Sequence, residues 1–166
     1  AERRCTIIFD PAGKAFTQQT AKELASYDQL VLICGHYEGF DQRVYDLGDR
    51  LISVGDFVLT GGEIPAMLTV DATARMLPGV LGDDTSAPTD SFFDALLGYP
   101  QYTRPRTFEG KEVPEVLLSG NHAAIARWRR EQSLLATMRH RPELLPMAKL
   151  TCEDLMFLAK QENKVL

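Results

Sequence analysis

Leu32-Ile33-Cys34-Gly35-His36-Tyr37-Glu38-Gly39-Phe40-Asp41-Gln42-Arg43 is the stretch that decides how this chain is read. An apolar run over residues 30–34 stops at Gly35, and a loop bounded by glycines presents an aromatic ring and a carboxylate. A helix-compatible segment follows. A second loop comes soon after, Ser53-Val54-Gly55-Asp56-Phe57-Val58-Leu59-Thr60-Gly61-Gly62-Glu63. Glycine-punctuated loops at the ends of buried strands are how α/β proteins build small-molecule sites. Neither loop is a GxGxxG or GxxxxGK[ST] phosphate cradle, which argues against an ordinary dinucleotide or nucleoside triphosphate.

Working outward, residues 6–9 read as a strand closed by a turn at Asp10-Pro11-Ala12-Gly13. Residues 17–26 read as a helix and 29–34 as the next strand, which together make a parallel βαβ unit. A short helix over 41–47, a strand over 51–54 and a helix over 62–76 follow. Ile64, Met67, Leu68, Val70 and Met76 are the apolar residues of that last helix, Pro65 suits its first turn, and Pro78-Gly79 stops it. Residues 82–90 are polar and aperiodic and read as a mobile linker. Beyond them, residues 100–114 are irregular. A helix over 121–139 has Ile125, Trp128, Leu135 and Met138 as core contacts, and a last helix spans 151–160 with Thr151 as its cap. The expected layout is an α/β domain over 1–81, a linker over 82–90 and a small helical domain over 91–166.

The composition is that of a globular chain, 45% hydrophobic and 25% charged, and no apolar run is long enough for a membrane span. Cys5, Cys34 and Cys152 are odd in number and scattered, which fits free thiols in a cytoplasmic protein better than disulfides. No Cys or His pair has finger-like metal spacing. The net charge of -5 conceals an asymmetry. Residues 1–103 carry 7 Lys+Arg against 15 Asp+Glu, net -8, whereas residues 104–141 carry 8 against 4, net +4. A basic segment in an acidic chain is either a nucleic-acid footprint or a solvated helix face.

Six strings recur here in a family-like order: Cys34-Gly35-His36-Tyr37-Glu38-Gly39, the Gly55–Glu63 loop, Pro78-Gly79-Val80-Leu81-Gly82, Tyr102-Thr103-Arg104-Pro105, Leu117-Leu118-Ser119-Gly120-Asn121-His122 and Arg141-Pro142-Glu143-Leu144-Leu145. On these the chain resembles the bacterial tRNA (guanine-N1)-methyltransferases, the TrmD family. The resemblance implies a SPOUT-type parallel sheet with a C-terminal trefoil knot, followed by a small helical domain. It implies an enzyme that transfers methyl from S-adenosylmethionine to N1 of guanosine 37 in tRNA, working as a homodimer with the active site at the subunit interface. It also implies that the first domain is N-terminally incomplete here, since the family begins with a further segment. The alternative is a non-catalytic fragment that binds cofactor or RNA only.

Carried over residue by residue, the resemblance places the cofactor on Phe9, Asp10, Pro11 and Gly13, on Gly35, Tyr37, Glu38 and Gly39, and on Ser53, Val54, Gly55, Phe57, Leu59, Gly61 and Gly62. Glu38 is also the candidate ligand for a divalent cation such as Mg2+. Asp90 matches the family's general base, its alternative being a helix N-cap before Ser91-Phe92-Phe93. Arg75 matches an arginine acting on the target guanine, its alternative being a residue that complements the helix dipole. Arg104, Arg127, Arg129 and Arg130 would grip the tRNA backbone, and His36 is read as structural.

Overall fold

The structure is a computed structural model and describes residues 2–82 and 90–165, with side chains to residue 161. Most of the expected linker therefore lies outside the described residues. The chain divides into two compact units, Ala1–Ala87 and Pro88–Leu166.

The first unit is built on three parallel strands: β1 (Arg4–Ala15), β2 (Gln29–Ile33) and β3 (Arg50–Ser53), in the order β2-β1-β3. The middle strand is the most buried. Its Cys5, Ile7 and Phe9 form the core with Leu24 and Ile52, and Ile8 is buried as well. Helix α1 (Gln18–Leu24) starts where Thr17 accepts a hydrogen bond from the Thr20 N–H, and it turns Ala21 and Leu24 inward. A 3-10 turn over Gln42–Leu47 starts at Asp41, whose side chain accepts from the Arg43 N–H. Hydrogen bonds from the Arg43 side chain, then from its backbone, hold the Asp41 carboxyl at about 2.

Two expectations for this unit are corrected. The turn at residues 10–13 does not end the first strand, because β1 runs on to Ala15. Its register shifts instead, and Ile52 of β3 lies opposite both Phe9 and Lys14. Local chemistry makes the detour: the Ala12 N–H bonds Asp10 Oδ1 at 2.8 Å, and Gly13 lies against the Ile52 backbone. A Cβ on Gly13 would come within 2.5 Å of that backbone, so the position admits no side chain. The second correction concerns α2 (Glu63–Ala74). Its buried residues are Pro65, Thr69 and Thr73, while Ile64, Met67, Leu68 and Val70 point to solvent. Apolar residues surround the whole helix, so periodicity alone did not identify its inner face.

The second unit contains a two-strand antiparallel hairpin, β4 (Thr107–Phe108) with β5 (Lys111–Glu112), within the segment expected to be irregular. It also holds α3 (Glu115–Leu118), α4 (His122–His140), a 3-10 turn over Pro142–Met147 and α5 (Cys152–Val165). The N-cap of α4 is Asn121, whose side chain accepts from the Ala124 N–H at 3.1 Å, a cap worth about 1 kcal/mol. Its inner face is Ser133, Leu134 and Thr137, so Leu134 takes the central place expected of Leu135. Leu134, Leu96 and Leu158 form the core of this unit. Thr151 and Asp154 cap α5 reciprocally: the Asp154 N–H bonds Thr151 Oγ1 and the Thr151 N–H bonds Asp154 Oδ2. Among the described residues no helix is long and apolar enough to cross a membrane.

Candidate functional site

Three segments of the first unit meet at the C-terminal ends of its strands. They are the β1 detour, the loop after β2 and the loop after β3, and they enclose a cleft of about 210 Å³. Of the residues expected to hold a cofactor, Phe9, Asp10 and Pro11 line it from the first segment. Gly35, Tyr37, Glu38 and Gly39 line it from the second, and Ser53, Val54, Gly55, Phe57, Leu59, Gly61 and Gly62 from the third. Gly13 does not line it and packs on Ile52 instead. Phe40, Ile52 and Pro65, which sequence reasoning did not assign to the cofactor, also line the cleft, as do Val58, Thr60 and His36, the last read as structural. Their position beside the quoted glycines was the available signal.

Backbone conformation opens this cleft. Gly39 and Gly55 have φ of +124° and +151°, and Tyr37 adopts φ of +63° with its ring almost wholly in solvent. The loops after β2 and β3 are joined: the Gly62 N–H donates to the Gly35 carbonyl at 3.0 Å, and His36 and Gly61 form an antiparallel bridge. Gly62 lies so close to β2's end that a Cβ there would be 2.7 Å from Cys34 Cα. Burial, and then the charge of Glu63, raise the Cys34 thiol above its ordinary range.

Asp10 is held at both oxygens. Oδ1 takes the Ala12 N–H, and Oδ2 takes the Tyr45 hydroxyl at 2.6 Å. That bond, followed by burial and the Asp10 charge, raises the Tyr45 pKa. Tyr45 also packs edge-on against Phe40 of the second loop. Tyr45 thus braces two walls of the cleft without lining it, and no local sequence signal marks it.

Asp90 lies in the second unit. The chain after it forms a turn, closed by the Phe92 N–H on the Leu96 carbonyl and the Gly98 N–H on Ser91 Oγ, so Asp90 caps no helix. It lines a cleft of about 280 Å³ with Asp94, Tyr99, Arg129 and Arg130. Arg75 is the half-buried C-cap of α2 and lines neither cleft. Arg129 stacks over the Tyr99 ring, 4.8 Å from its centroid. Arg130 makes two hydrogen bonds to Asp154, at 3.2 and 2.8 Å, and one to the Lys149 carbonyl. Arg127 pairs with Glu131 one turn on, and Arg104 is exposed ahead of the cis bond to Pro105. Among the described residues no group of three or more His, Cys, Asp or Glu could hold a metal ion. Glu38 gathers no such ligand set, and no step below uses a cation.

Fold and cleft define a class: a parallel α/β protein with a cleft among glycine loops at the C-terminal edge of its sheet, the place where such folds take small molecules. A family model described as tRNA (Guanine-1)-methyltransferase TrmD matches residues 1–147, and the chain belongs to that family. Among curated relatives, the tRNA (guanine-N(1)-)-methyltransferase of Moorella thermoacetica is 58% identical over 159 residues, covering 95% of this chain and 64% of the relative. That of Lactobacillus delbrueckii subsp. bulgaricus is 57% identical over 152 residues, covering 92% and 62%. That of Desulforamulus reducens is 55% identical over 161 residues, covering 96% and 63%. The chain thus spans just under two thirds of the length of these relatives.

Proposed function

We propose that this chain carries the cofactor-binding and RNA-binding parts of an enzyme that methylates N1 of guanosine 37 in tRNA, with S-adenosylmethionine as donor. The observation that carries the reading is the cleft. Fourteen of the fifteen residues that resemblance assigned to the donor line one cavity, in a chain whose family model matches residues 1–147. The residues suit the donor. Backbone N–H and C=O groups of the loop glycines such as Gly39 can read an adenine edge at close range. Phe9 and Phe57 offer apolar surface, and the exposed Glu38 carboxylate can face a sulfonium. When bound, S-adenosylmethionine supplies an electrophilic methyl group.

The chain's own groups supply the remainder. Guanine N1 bears a proton at neutral pH, and the Asp90 carboxylate is the group to accept it. Arg75 offers a positive charge for the negative charge that develops on O6. Arg104, Arg127 and Arg129 offer charge to the tRNA backbone. Arg130 is tied to Asp154, so its part is to fix α5 against α4 beneath them. The outward apolar face of α2 supports a homodimer, because Ile64, Met67, Leu68 and Val70 are poor company for water. A SPOUT-type trefoil knot in the first unit and a tRNA-binding role for the second belong to the same reading.

The test is transfer of labelled methyl from S-adenosylmethionine to a tRNA transcript with guanosine at position 37, against one with adenosine there. Label on the guanosine transcript alone is the expected result. Asp90→Asn is expected to abolish transfer and leave donor affinity nearly unchanged. Equal loss of both would remove Asp90 from the chemistry. The coverage of the relatives favours one second reading, a chain that binds donor or RNA without turnover. Binding without transfer by the wild-type chain would select it.

A further inference from the structure

The cleft of the first unit has two walls drawn from different loops, and one side-chain pair ties them together. His36, on the loop after β2, places Nε2 2.6 Å from Oε1 of Glu63, the first residue of α2. The same loops already touch through the His36–Gly61 bridge and the Gly62 N–H on the Gly35 carbonyl. Gly61 leaves room for the pair. A Cβ on Gly61 would press on the Glu63 carboxylate and come within 3.1 Å of the His36 ring. Glu63 is the anchored partner, because a carboxylate in the first turn of a helix is favoured by the helix dipole. His36 is its partner, carried on the loop that holds Tyr37 at positive φ.

Both side chains are more than half exposed, at 57% and 53%, and ion pairs at such sites add little to stability. What distinguishes this pair is where it stands. It closes the rim between Tyr37-Glu38-Gly39 on one side and Thr60-Gly61-Gly62 on the other, all of which line the cleft. We propose that His36 and Glu63 form a latch, a pair of positioning residues that sets the spacing of the two loops and so the affinity for the methyl donor. Glu63 lines no part of the cleft and acts through His36. This inference rests on the reading of the cleft as the S-adenosylmethionine site.

Calorimetric titration of the full chain with S-adenosylmethionine tests it, using the wild type, His36→Ala, Glu63→Ala, the double variant and His36→Gln. The latch requires each of the first two changes to weaken binding about fivefold, with the double variant no weaker than either single one, as for residues acting as one unit. His36→Gln should bind like the wild type, since its amide nitrogen stands where Nε2 stood and still donates to Glu63. Thermal midpoints should stay together across the set. Single variants that bind as the wild type does, or losses that simply add in the double variant, overturn the latch while the cleft keeps its ligand. A wild type that takes up no donor overturns the reading of the cleft and the latch with it.

Discussion

The glycine-walled cleft of the first unit and the arginine-bearing helix of the second are held in shape by different means. In the cleft the determining contacts are backbone against backbone. Gly13 rests on Ile52, Gly62 on the end of β2, and the loops exchange main-chain hydrogen bonds. In the second unit the shape depends on long side chains. Arg130 reaches across to Asp154 and Lys149, Arg129 lies over Tyr99, and Thr137 bonds both the Ser133 carbonyl and the Leu97 N–H. A wall made of main chain leaves its lining free to meet a ligand. A wall made of arginines has committed some of its charge before any ligand arrives.

The largest expected effect falls on the main-chain side. Gly13→Ala should cost about 3 kcal/mol, the upper range for forcing a methyl into packed structure. Amide exchange at β1 and β3 should report the loss, and unchanged protection there would break the comparison. Next, Asp154→Ala should cost about 2 kcal/mol, because it removes charge-assisted bonds and leaves Arg130 without its partner. The single tryptophan, Trp128 on α4, gives a fluorescence signal for that unfolding.

Acid sharpens the same point. The Arg130 hydrogen bonds, working against desolvation and aided by the Thr151 backbone, hold the Asp154 carboxyl below its usual range. A depressed folded pKa gives stability that is present above the unfolded value of about 3.9 and lost as pH falls through the folded one. The melting difference between wild type and Asp154→Asn should therefore be constant near neutrality and shrink below about pH 4. The smallest effect on folding is expected from Arg127→Ala, about 0.3 kcal/mol, since its pair with Glu131 is an exposed helical one. If Arg127 meets a phosphate, the salt dependence of tRNA binding should fall by about one unit of slope. An unchanged slope would assign Arg127 to the helix alone.

Much of this was legible in the chain's own chemistry. Glycines at strand ends marked where a cleft could form, although glycine also serves plain turns, and Thr151 stood where a cap was expected. The contacts that escaped were distant in sequence or symmetric in composition. The partner of Arg130 lies on another helix, and Tyr45 reaches Asp10 across the sheet. The inward face of α2 is marked by threonines rather than by its larger apolar residues, and Leu134 and Leu135 are neighbours of the same kind. In each case tertiary contact chose between options that local pattern left equal.

Cys34 follows β2 directly where the chain enters the cleft, close against Gly62. Burial and the nearby Glu63 carboxylate both disfavour its thiolate. The thiolate is the form that attacks disulfides, takes up alkylating reagents and starts on the path to sulfenic acid. A sulfur at the threshold of the cleft is thereby disfavoured as a nucleophile toward electrophiles and oxidants.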